Sequence, residues 1–133
     1  MLFRFVFVIA VYCLSLPSTA DEKREQFSFV KYGNVLYFHG SPQNLYIFGA
    51  IESDDSFELR KALRSHDIRN IVLASPGGNV WEGLQMAGTI FDKKLLTYIP
   101  QNSSCLSACS FLFFAGGQRI ADGELAVHQA YSA

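Results

Sequence analysis

Cys105-Leu106-Ser107-Ala108-Cys109-Ser110 places a serine among small residues, and the apolar run behind it ends at Gly116-Gly117. Upstream, Ser75-Pro76-Gly77-Gly78 closes the apolar stretch Ile71-Val72-Leu73-Ala74, and downstream His128 follows Leu125-Ala126-Val127. In that order the three motifs suit an oxyanion turn, a nucleophile and a base, the core of a serine hydrolase. Two glycines after a buried strand allow a tight turn and close approach of a substrate to free backbone N–H groups. An ordinary strand-to-helix turn has the same composition. A serine opening a helix over 107–115 would be accessible and near the positive end of the dipole. It is equally a preferred helix N-cap, and Ser103, Ser104 and Ser110 compete with it as nucleophiles. His128 is either a base or a satisfied, half-buried histidine. His39 precedes a Gly-Ser-Pro turn, and His66 falls near the end of a charged helix, where its protonated form would suit the dipole. Asn102-Ser103-Ser104 matches a glycosylation sequon, a short pattern that recurs by chance.

The elements that must position these residues follow from pattern. Phe27 to Tyr32 and Val35 to His39 flank Gly33-Asn34 and predict a hairpin over 27–39. Leu45 to Ile51 predicts a further strand, and Ser53-Asp54-Asp55 a helix start with acidic residues at the positive end of the dipole. Ile71 to Ala74 is a short apolar run of the kind found in strands covered on both faces. A helix is predicted from Asn79 to Phe91, with Val80, Leu84, Ala87 and Phe91 at helical spacing. Leu95 to Ile99 predicts a strand, and Ile120 to Val127 one or two short strands around Asp122-Gly123. Strands and helices alternate from residue 45 onward, so the fold class is α/β with a mostly parallel sheet and flanking helices.

The first twenty residues stand apart from this domain. A short positive start at Arg4 precedes an apolar run from Phe5 to Leu16, then Pro17-Ser18-Thr19-Ala20 and the polar Asp21 to Glu25. This is the layout of a secretory signal peptide cut after Ala20, and the run is short of the ~20 apolar residues that span a bilayer. The expected organisation is residues 1–20 as signal and 21–133 as one domain, in an exported, periplasmic or secreted protein. Export removes Cys13 and leaves Cys105 and Cys109. Four residues apart in an oxidising compartment, they form either a local disulfide or two buried thiols, and too few ligands remain for zinc.

The ordered set Ser75-Pro76-Gly77-Gly78-Asn79-Val80 through Gly83, Ser107 through Gly116, and Val127-His128-Gln129 resembles the proteolytic subunit of the Clp protease. It also resembles that subunit's relatives in the Clp/crotonase superfamily, most closely exported Clp-like proteins with a Cys-x-Ser-Ala-Cys segment. The likeness covers roughly residues 45–130. It implies Ser107 as nucleophile, His128 as general base, and the backbone N–H groups of Gly78 and Ala108 as the oxyanion hole. The implied reaction is peptide hydrolysis through an acyl-enzyme. The family's third triad member, an aspartate well beyond the histidine, has no counterpart in Gln129-Ala130-Tyr131-Ser132-Ala133. Loss of an orienting acid costs ~10⁴ in turnover. The domain is therefore expected to be incomplete at its C-terminus, or else a catalytically inactive Clp-fold protein that binds peptides or partners.

Composition narrows the remaining classes. Eleven Lys and Arg oppose twelve Asp and Glu in 133 residues, which offers no basic stripe for nucleic acid. No cofactor or metal is expected. A crotonase-type acyl-CoA enzyme would share the oxyanion turn, but export argues against that cofactor. A thiol enzyme built on Cys105 or Cys109 is excluded if the two are bonded. The expected partner is a peptide or unfolded protein. Homo-oligomers are implied by the resemblance alone, and no ATPase partner is expected after export.

Overall fold

Gly33 sits at φ +59°, a backbone state that glycine reaches without strain, and here the chain reverses to pair β1 (Phe29–Tyr32) with β2 (Val35–Phe38). The computed structural model describes residues 23–24 and 27–127; the expected signal peptide and His128 lie outside them. β3 (Asn44–Phe48) pairs antiparallel with β2 and parallel with β4 (Asn70–Ala74). β5 (Leu96–Ile99) and β7 (Gln118–Ala121) extend the parallel part. The six-stranded order is β1-β2-β3-β4-β5-β7, so the sheet is mixed but mostly parallel. The expected α/β class is therefore observed.

Three helices lie in the connections: α1 (Asp55–Ser65), α2 (Val80–Asp92) and α3 (Cys109–Phe114). Leu45 and Ile47 of β3, Ile71 and Leu73 of β4 and Ile99 of β5 form one core with Leu59, Met86, Ile90 and Leu112 of the helices. The alternate strand positions point the other way. Asn44, Asn70, Val72, Leu96, Tyr98, Ile120 and Asp122 line an open groove of about 380 Å³ on the opposite face. Helices thus flank one face of the sheet. Among the described residues, no helix is long and apolar enough to cross a membrane.

A second, two-stranded sheet was not expected from pattern. β6 (Ser104–Leu106) pairs in parallel with β8 (Glu124–Ala126). β6 is also joined to the end of β4 by the Ser75–Cys105 bridge, where Ser75 N–H donates to Ser104 O at 2.9 Å. Three residues are too few for a period to show.

The rotation of α2 departs from expectation. Gly83, Met86 and Ile90 are buried, whereas Val80, Leu84 and Phe91, three of the four residues at helical spacing, are exposed beside Trp81. The helix is apolar on more than one side, so spacing alone could not select the inward face. Two local contacts select it. A Cβ on Gly83 would lie 3.3 Å from Ala108 Cβ, so its missing side chain lets α2 close on the start of α3. Glu82 reaches across to accept from Ser56 N–H at 2.9 Å and ties α2 to the first turn of α1.

Candidate active site

The turn after β4 uses up most of its own polar groups. Gly77 N–H donates to Ser75 Oγ at 3.1 Å, and Gly77 O accepts from Ile51 N–H at 2.8 Å. Asn79 N–H donates to Ile51 O at 2.8 Å, while the Asn79 side chain caps α2 by accepting from Glu82 N–H. Gly77 at φ +90° and Gly78 at φ +142° occupy backbone states that a side chain would strain. Ile51 packs so closely on Gly78 that a Cβ there would collide with its backbone. Gly78 N–H is the donor left over; it makes no hydrogen bond among the described residues.

Ser107 lies between β6 and α3, and this differs from the expected helix opening. α3 begins at Cys109 with Ala108 as its N-cap, and Ser107 holds φ +52°. It is therefore not the cap. For a residue with a Cβ the left-handed region costs roughly 1–2 kcal/mol. Several contacts hold it there. Ser107 N–H donates to Ala126 O at 3.0 Å, and the Ser107 carbonyl accepts from both N–H and Oγ–H of Ser110, at 2.9 and 2.6 Å. The Ser107 hydroxyl makes no hydrogen bond among the described residues, and neither does Ala108 N–H.

The two turns touch. A Cβ on Gly77 would stand 2.6 Å from Leu106 O, 2.9 Å from Ala108 N and 2.9 Å from Ser107 Cβ. Gly78, Ser107 and Ala108 thus belong to one locality, although they are distant in sequence. Two of the three rival serines are engaged elsewhere. Ser110 is buried with its hydroxyl on Ser107 O, and Ser104 Oγ bonds Glu124 at 3.1 Å. His128 lies outside the described residues, two positions beyond the residue that bonds Ser107 N–H.

Cys105 and Cys109 are joined by a disulfide with Cα atoms 5.3 Å apart, as the spacing allowed. Cys105 lies at the centre of β6 and Cys109 is the first residue of α3, and both are fully buried. The bond is compatible with an exported protein. As disulfide partners, neither cysteine is a free thiol nucleophile.

The other histidines are accounted for away from this site. The His66 ring stacks on Tyr37 with centroids 3.5 Å apart, and Tyr32 OH lies 2.9 Å from Nε2. Burial, then the neighbouring His39, push its pKa down, so the neutral form is favoured. Desolvation of the charged ring thus opposes the protonated form that would suit the helix dipole.

Neither any protein-family model nor any curated protein matches this chain.

Proposed function

We propose that the chain is the core of an exported, Clp-like serine peptidase in which Ser107 is the nucleophile and His128 the general base. The observation that carries this reading is the contact between the Gly77-Gly78 turn and the Ser107-Ala108 turn, with one unengaged N–H on each. An acyl-transfer site needs an accessible hydroxyl and fixed N–H donors where negative charge develops on the carbonyl oxygen. Gly78 and Ala108 supply those donors in this proposal. Their neighbours' hydrogen bonds hold them, so no reorganisation is needed as the charge forms. Ser107 attacks the peptide carbonyl, His128 takes its proton and then returns it to the leaving amine, and water releases the acyl group. The left-handed turn at Ser107 supports the role, because strain of this kind persists where surrounding contacts over-determine it.

The substrate class is a peptide or an already unfolded protein. The test is labelling of the full chain with a fluorophosphonate, followed by peptide mapping. Covalent modification of Ser107, absent in Ser107→Ala, supports the peptidase reading. A folded protein that takes no label is instead a binding module of the same fold.

A further inference from the structure

We infer that the Cys105–Cys109 disulfide is a positioning device for the reactive turn, acting through Ser107 and Ala108 and not only on the stability of the fold. The inference rests on the reading of Ser107 as the reactive hydroxyl. The bond encloses Leu106, Ser107 and Ala108, which are the end of β6, the left-handed residue and the N-cap of α3. Its ends are 5.3 Å apart at Cα. A four-residue step along an extended chain could reach roughly 13 Å. The crosslink therefore excludes the open paths between strand and helix and retains only compact ones.

Compact paths are what the site uses. Ser107 prefers to leave the left-handed region, and leaving it would turn both its N–H and its carbonyl. The N–H bond to Ala126 and the two bonds from Ser110 would then be lost together, and the Ala108 N–H would swing away from Gly77. α3 offers little independent resistance. It spans six residues, Cys109–Phe114, and Ala108 makes no side-chain cap bond. Helices this short are marginal without tertiary support. A covalent tie from the centre of β6 to the first residue of α3 supplies that support at the point where the turn would otherwise open. β6 is itself anchored through Ser75 and β8, so the tie refers the helix to the main sheet.

The experiment compares the full wild-type chain with Cys105→Ala/Cys109→Ala, and with Cys105→Val/Cys109→Ala, which keeps more of the volume in β6. Two readouts are taken: fluorophosphonate labelling kinetics and residue-resolved amide exchange. The expected result is a maximal labelling rate at least tenfold lower with the half-saturating probe concentration unchanged. Exchange of the Ser107 and Ser110 N–H groups rises at least tenfold, while Ile71, Leu73 and Thr97 in the sheet keep their protection. Unchanged protection at Ser107 and Ser110 in a folded variant overturns the inference. So does global loss of protection in both variants, which would make the bond a staple of the whole fold. If wild type takes no label, the peptidase reading fails, and the exchange comparison still decides whether the disulfide positions the turn.

Discussion

Gly77 lies against Ser107 so closely that a methyl group on the glycine would come within 2.9 Å of the serine Cβ. This contact joins the end of β4 to the entry of α3. Gly77→Ala adds that methyl at φ +90° and within 2.6 Å of Leu106 O. Backbone must move to admit it. The expected outcome is a stability loss of about 1–3 kcal/mol in chemical denaturation, with Ser107 labelling reduced at least tenfold. A variant that labels at the wild-type rate would show that the contact does not shape the site.

Ser107 itself separates activity from stability. Ser107→Ala removes the hydroxyl and keeps the Cβ that strains the turn, so labelling is abolished with stability within about 0.5 kcal/mol of wild type. Ser107→Gly also relieves the left-handed strain at φ +52°. After the greater chain entropy of glycine is offset, it is expected to raise stability by roughly 0.5 kcal/mol over the alanine variant. The reverse order would mean that the turn is unstrained.

The rotation of α2 is testable by paired truncations. Ile90 is fully buried among the core residues, and Leu84 is 47% exposed. Ile90→Ala is expected to cost 2–5 kcal/mol, roughly, while Leu84→Ala costs less than about 1 kcal/mol. Equal costs would contradict the observed inward face of Gly83, Met86 and Ile90.

Acid sensitivity has two sources with the same sign. Burial alone would raise the pKa of Glu82, but hydrogen bonds from Ser56, then Asp54, and the charge of Arg60 bring it below its ordinary 4.5. Its stabilisation is complete above that ordinary value, and it is lost as pH falls through the lowered one, because the unfolded chain takes up the proton first. His66, held below its ordinary 6.5, behaves alike in a higher window: stability begins to fall as pH drops past 6.5. In urea titrations Glu82→Gln is expected to be less stable than wild type at neutral pH, with the gap closing as pH falls below the ordinary 4.5. His66→Gln is expected to flatten the limb just under the ordinary histidine range. Stability that rises on acidification through either window would refute the assignment.

Much of the framework was legible from residues alone. Gly33-Asn34 between two aromatic, β-branched runs is a hairpin signal, and Asn79 before an apolar stretch is a helix-start signal. The run at Ile71 was legible because central strands are continuous in hydrophobicity. Legibility failed where the outcome depended on a partner. Three residues of β6 become a strand only because Ser75 and β8 pair with them. α2 presents Met86 instead of Leu84 because Gly83 meets Ala108 and Glu82 meets Ser56. The His66 pKa is pushed down by partial burial, with Tyr37 stacked on the ring and Tyr32 OH at Nε2, and then by His39.

The order of the chemical groups, the α/β alternation and the spacing of Cys105 and Cys109 are properties of the sequence by itself, since periodicity and turn chemistry act over a few neighbouring residues. The conformation of Ser107 is not. Its local preference is against φ +52°, and contacts from Ala126, Ser110, Gly77 and the disulfide hold it there. Tertiary structure decided that Ser107 faces the Gly77-Gly78 turn, because bonds formed across the fold outweigh a backbone preference of a kcal/mol or two.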